Sequence, residues 1–119
     1  MNYDLEERTR NFSKDVINTC KKIKPSNINA SIINQLVRSA TSVGANYCEA
    51  NAASSKNDFK NKIYICRKEV QETEYWLELL GEAEPAYKEE LSQLWKEAHE
   101  LTLIFNKISQ SLREKKIYE

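Results

Sequence analysis

A chain of 119 residues is long enough to bury one hydrophobic core without disulfide or metal staples, and no second domain is expected from that length. Eighteen basic against eighteen acidic residues leave no net charge, so no overall field draws the chain to nucleic acid or to an acidic surface. With two glycines and two prolines, 40% hydrophobic and 30% charged residues, the composition excludes a turn-rich β architecture and a disordered chain, and points to long helices with short connections.

Residues Met1 to Glu7 have neither the basic start nor the apolar stretch of a secretory signal. Nowhere does the chain hold the roughly 18 consecutive apolar residues that a membrane helix needs. The expectation is a cytoplasmic protein without a membrane partner. Cys20, Cys48 and Cys66 are odd in number and form no Cys-x-x-Cys pair, which fits reduced, buried thiols better than a disulfide framework or a zinc site. No cofactor is expected.

The first helix is expected over about residues 3–24, where Leu5, Thr9, Phe12, Val16, Thr19 and Ile23 recur at the alternating spacings of three and four that put an apolar stripe on one side. Lys24-Pro25-Ser26-Asn27 breaks the pattern, because proline cannot continue the helix and Ser or Asn can cap the next. The second helix, 27–54, carries Ile33, Leu36, Ala40, Val43, Tyr47 and Ala50. Ser55 stands three residues before Asp58, a capping arrangement for a third helix over 56–82, striped by Phe59, Ile63, Cys66, Val70, Thr73, Leu77 and Leu80. Gly81 suits a helix C-terminus and Pro85 the first turn of a fourth helix over 85–116. Its stripe is Tyr87, Leu91, Leu94, Ala98, Leu101, Phe105, Ile108 and Leu112. Short connections between helices of similar length favour antiparallel neighbours, so the expected fold is one all-α domain, an up-down-up-down antiparallel four-helix bundle.

The second helix stands apart in its charge. From Asn27 to Ser55 only Arg38 and Glu49 are charged, so the solvated face of an ordinary surface helix is missing. Val37, Thr41, Gly44, Cys48 and Ala52 form a second stripe of small residues that lets another helix approach closely. Either a second subunit covers that stripe or the other helices of the same chain do. A polar stripe runs Gln35, Arg38, Ser42, Asn46, Glu49. In an antiparallel pairing Arg38 and Glu72 both stand about 17 residues from the junction near Ser55, and at ~1.5 Å per residue they reach nearly one height. They are expected to form a mostly buried pair that sets register, with Glu69 the next candidate.

Two stretches carry a resemblance. "QLVRSATSVGANYCEA" followed by "DFKNKIYICRKEVQETEYWLELL" is similar to the bacterial four-helix-bundle proteins encoded within intervening sequences of 23S ribosomal RNA genes. The family's second-helix pattern is matched by Gln35, Leu36, Arg38, Ala40, Ser42, Asn46 and Glu49. Its third-helix pattern is matched by Phe59, Lys68, Glu69, Glu72, Thr73, Tyr75, Trp76 and Leu77. Ala50 stands where relatives usually have glycine, which implies a second helix that continues further before turning. The resemblance implies a homopentamer, a closed ring of five bundles. Such a ring would cover Val37, Gly44 and Cys48 together with Tyr64, Tyr75 and Trp76, the candidate subunit interface. The family also includes the accessory protein of diversity-generating retroelements, which binds a reverse transcriptase and nucleic acid. That role is the alternative function; the strongly basic surface it calls for is missing from a chain without net charge.

Although charge cancels overall, it is segregated. Lys56, Lys60, Lys62, Arg67 and Lys68 crowd the first half of the third helix, and Glu69, Glu72, Glu74, Glu78, Glu82 and Glu84 crowd the second, the reverse of what the helix macrodipole prefers. In an antiparallel bundle the end built from residues 1–12, 42–68 and 103–119 holds 11 basic and 7 acidic residues, a net of +4 that leaves −4 at the other end. The five cations are candidate contacts to RNA or DNA phosphates, with Tyr64 and Tyr118 as stacking groups. Compensation by neighbouring subunits, or by Lys21, Lys22 and Lys24, is the structural alternative. Nothing marks an enzyme: His99 is the lone histidine, no His-Glu-x-x-His or phosphate-binding glycine loop occurs, and no spacing joins a nucleophile to its base. The reading is a non-enzymatic, oligomeric helical bundle, scaffolding or RNA-associated.

Overall fold

The computed structural model describes the backbone of residues 3–118 and the side chains of residues 5–113. Four helices follow one another: α1 (Tyr3–Lys22), α2 (Asn29–Asn51), α3 (Lys56–Ala83) and α4 (Lys88–Tyr118), with a 3-10 turn over Pro85–Tyr87 ahead of α4. Each packs on its neighbour in sequence, most extensively α2 on α3, and α1 closes on α4 most thinly. Contacts between opposite chain ends fix the directions. Lys22, at the end of α1, pairs with Glu90 at the start of α4, and Glu49, near the end of α2, pairs with Lys62 near the start of α3. The architecture is the all-α, up-down-up-down antiparallel bundle, drawn out to 51 × 25 × 21 Å.

Helix ends follow local hydrogen bonding. Ahead of α2, Ser26 Oγ accepts from the Asn29 amide at 3.1 Å and Asn29 Oδ1 accepts from the Ser26 amide at 2.9 Å, a reciprocal cap. The buried Asn29 also donates to the Lys24 carbonyl and to Glu84 Oε2, at 3.0 and 2.8 Å, so one side chain ties the first connection to the third. α2 stops at Asn51, not at 54, and so runs one residue past Ala50. There the Ala52 amide is shared between the Cys48 and Glu49 carbonyls, which tightens the last turn and ends it. Ser55 caps α3, its Oγ accepting from the Asp58 amide at 3.1 Å. Gly81 does not end α3. The helix runs on to Ala83, and no described glycine has a positive φ, so the left-handed cap for which glycine is suited does not form. Pro85 instead opens the 3-10 turn, and the Tyr87 hydroxyl donates to the Lys22 carbonyl at 2.9 Å.

The four stripes meet in one core. All six stripe residues of α1 are buried, as are those of α3 apart from the half-buried Phe59. Ile33, Tyr87, Ile108 and Leu112 are half-buried at the ends of the other two stripes. Tyr47 of α2 meets Phe105 of α4 edge-on across the centre, with ring centroids 5.9 Å apart. Phe105 is wholly buried, so truncating it to alanine should cost about 3–5 kcal/mol in lost transfer energy and cavity.

The two glycines differ. A Cβ on Gly44 would stand 3.4 Å from the Thr9 carbonyl oxygen, so the close approach this residue permits is to α1 of the same chain. A Cβ on Gly81 would meet nothing within 4 Å. Gly81→Ala should therefore stabilise the fold by about 0.5–1 kcal/mol, the entropic and propensity cost of glycine inside a helix. Gly44→Leu should destabilise the monomer fold by about 1–3 kcal/mol through overpacking. Thermal unfolding of both variants separates these outcomes; a loss of similar size from each would contradict the placement of Gly81.

Candidate functional site

The polar stripe of α2 becomes a ladder along one edge of the α2–α3 pair. Arg38 Nε donates to Gln35 Oε1 at 2.8 Å, holding the guanidinium fork so that its terminal nitrogens reach Glu69, at 3.1 Å, and Glu72 on α3. The Trp76 indole N–H donates to the same Glu72 oxygen at 2.8 Å. That donor, with Arg38 beside it, holds the Glu72 carboxyl below its usual range. One turn further along, Asn46 Nδ2 donates to the Ser42 carbonyl and hydroxyl, both at 2.9 Å, and Lys62 reaches Glu49 at 2.8 Å. The equal-height estimate thus brings Arg38 to Glu72, and to Glu69 as well. The expected burial does not hold: the Arg38 side chain is 45% exposed and Glu72 30%, because the ladder runs along the rim of the core.

The five cations at the start of α3 do not share one side. Lys62 turns toward α2, engaged by Glu49. Lys56, Lys60 and Arg67 fall on a different side at helical spacing, with Arg67 lying over the Tyr64 ring at 6.0 Å from its centroid. Lys68 is exposed. The Tyr118 side chain lies outside the described residues.

The candidate interface residues divide as well. Gly44 is buried under α1, while Val37 and Cys48 are half-buried. Cys48 is not the fully buried thiol expected but half-buried, with Arg10 reaching its sulfur at 3.7 Å. Cys20 and Cys66 are buried, and burial pushes their thiols up to about 11 and about 12, which keeps both protonated and unreactive near neutrality. Tyr75 is 54% exposed and sits edge-on to Trp76 at 4.9 Å. His99 is half-buried. It stacks on Trp95 at 4.9 Å with the rings nearly parallel, and its Nδ1 stands 3.5 Å from a Glu74 oxygen that also accepts from Thr102. The spacing of four between Trp95 and His99 puts both on one side of α4, a signal that the apolar stripe hides because both lie beside it and not in it.

Fold and surfaces together define a four-helix-bundle protein with ion pairs along the rims of its helix contacts. Among the described residues no group of three or more His, Cys, Asp or Glu is disposed to hold a metal ion, and no helix is long and apolar enough to cross a membrane. The profile of the 23S rRNA-intervening sequence protein family matches residues 1–107, and the chain belongs to that family. A crystal structure of a protein of unknown function from the S23 ribosomal protein family of Bacteroides thetaiotaomicron is similar at 33% identity, with 87% of this chain and 96% of that chain covered and a TM-score of 0.75. A search of curated proteins finds no match.

Because the Arg38 fork is half open to water, a double-mutant cycle of Arg38→Ala with Glu72→Gln should give a coupling of about 0.5–1 kcal/mol, not the ~3–5 kcal/mol of a buried pair. The folded carboxyl lies below its unfolded value, so its stabilising contribution is complete above the ordinary Glu range near pH ~4.3 and is lost as pH falls through the depressed value. Repeating the cycle in acid should abolish the coupling; coupling that persists there would exclude Glu72 as the titrating partner.

Proposed function

We propose that this chain is a non-enzymatic, homo-oligomeric bundle that touches RNA or DNA phosphates through the basic end of α3 without reading sequence. The observation that carries this reading is the group Lys56, Lys60 and Lys68, which form no ion pair within the chain among the described residues, beside Arg67 and the half-buried Tyr64. Lysines crowding a helix N-terminus work against its macrodipole, so their benefit lies in something other than helix stability. Phosphate is the natural counter-ion, and an aromatic ring next to the cations suits stacking on an unpaired base.

Assembly into the ring of five implied by the family resemblance is the second element of the proposal. It is supported by the outward side of α2, where Ala30, Ala45 and Ala52 are exposed and only Arg38 and Glu49 carry charge. Ile28, at the start of that helix, is 72% exposed. Light scattering at micromolar concentration should give a mass of several chains, and a stable monomer would overturn this element.

Binding to a single-stranded RNA, followed by fluorescence anisotropy, should fall steeply between about 50 and 200 mM salt. Changing Lys56, Lys60 and Arg67 together to Glu should abolish binding. Lys62→Glu, which breaks a contact already satisfied by Glu49, should leave binding within a few-fold of the parent while lowering stability slightly. A parent that binds nothing at ~50 mM salt would overturn the nucleic-acid element.

A further inference from the structure

Where the end of α3 runs beside the start of α4, a cavity of about 310 Å³ opens at the surface. Its floor is apolar: Leu77 and Gly81 from α3, Leu91 and Trp95 from α4, each pair four residues apart and so on one side of its helix. Its rim is charged, with Glu78 and Glu82 on the α3 wall and Lys88 and Lys96 on the α4 wall, all four exposed. None of the four forms an ion pair within the chain among the described residues, although opposite charges line opposite walls, and Glu78 only accepts from the Trp95 indole at 3.2 Å. Gly81 keeps the cavity open. The backbone there has no positive φ and a Cβ would meet nothing within 4 Å, so neither turn geometry nor close packing calls for glycine. An alanine or leucine would favour the helix and take up space in the cavity that Gly81 lines. Trp95 is held by two contacts, its bond to Glu78 and the His99 ring stacked on it at 4.9 Å, which fixes one wall before any ligand arrives.

We infer that this cavity is a binding site for a small zwitterion with an apolar body, of the size and chemistry of an aromatic amino acid. Its volume stands at the small end of ligand pockets, roughly 300–1,000 Å³, which suits one ring on a short stem. The body rests on Leu77, Leu91 and Trp95 in the space that Gly81 leaves free. The ammonium group meets Glu78 and Glu82, and the carboxylate meets Lys88 and Lys96, so the ligand supplies the counter-charges that the chain does not supply to itself. A purely apolar molecule leaves both walls unanswered, and a molecule with one charge meets attraction from one wall and repulsion from the other. The inference goes beyond the proposed function. The cavity lies at the opposite end of α3 from Lys56 and Lys60, and ligand binding there requires neither RNA nor assembly.

Calorimetric titration of the full chain with L-phenylalanine, without nucleic acid, tests the site apart from any RNA role. The expected result is saturable binding at one site per chain, with a dissociation constant of ~1 mM or below. Phenethylamine, which lacks the carboxylate, and hydrocinnamate, which lacks the ammonium group, should each bind about tenfold more weakly. Variant K88Q/K96Q should weaken L-phenylalanine by about tenfold without weakening phenethylamine, and E78Q/E82Q should do so without weakening hydrocinnamate, since a glutamine at 78 can still accept from the Trp95 indole. Gly81→Leu should abolish binding while its thermal midpoint stays at or above that of the parent. A parent that shows no saturable binding up to ~10 mM, or that binds either single-charge analogue as tightly as the zwitterion, would overturn the inference. So would N-acetyl-phenylalaninamide binding as well as the free amino acid, a result that makes the occupant an aromatic side chain of a partner protein.

Discussion

Ser39 of α2 and Thr73 of α3 place their hydroxyl oxygens 2.9 Å apart at positions closed to water. Two helices come that near only where the side chains between them are small, and here the Cys66 thiol of α3 donates to the Val43 carbonyl of α2 at 3.5 Å. Each hydroxyl also has a carbonyl of its own helix, Leu36 for Ser39 and Glu69 for Thr73, so neither of the two is left unsatisfied. A slip of one residue would break both the hydroxyl pair and the rim ladder from Arg38 to Glu72. The α2–α3 contact therefore sets register, and α1 and α4 are packed against an already defined pair.

This arrangement accounts for much of the scarcity of charge on α2. The helix is covered on one side by α3, through small residues and hydroxyls, and on another by α1, through Gly44 and the Thr9 carbonyl. Ser13 adds a hydrogen bond to the Ala40 carbonyl at 3.2 Å on that second side. Charged side chains survive only at the rim, where Arg38 and Glu49 reach partners on α3 while staying partly in water. The remaining outward strip of α2 is made of small and polar residues, among them the exposed Ala30 and Ala45.

The fold was legible because its signals are repeated: four stripes at one period, interrupted at Pro25, Ser55 and Pro85, are hard to satisfy in any other way. Register was partly legible, since counting from the α2–α3 junction brings Arg38 to Glu72. Burial was not, because counting gives height along a helix and says little about whether a long side chain turns inward or lies along the rim. Gly81 misled for a related reason: glycine favours helix ends but does not require them, and nothing local to Gly81 demands a positive φ. Spacing alone puts Trp95 and His99 on one side of α4 and separates Lys62 from Lys56 and Lys60 on α3, but the partners that Glu74 supplies to His99 and Glu49 to Lys62 depend on how α4 and α2 sit against α3, and no spacing within a single helix carries that information.

If the α2–α3 pair is the frame, stability is not uniform along the chain. Native-state hydrogen exchange resolves this residue by residue. Amides in the middle of α2 and α3 should exchange only through global unfolding, whereas those of α1, whose contact with α4 is the thinnest in the bundle, should exchange through a smaller opening with weaker denaturant dependence. Protection in α1 equal to that in α2 and α3, with the same denaturant dependence, would contradict the α2–α3 pair as the element on which the rest depends.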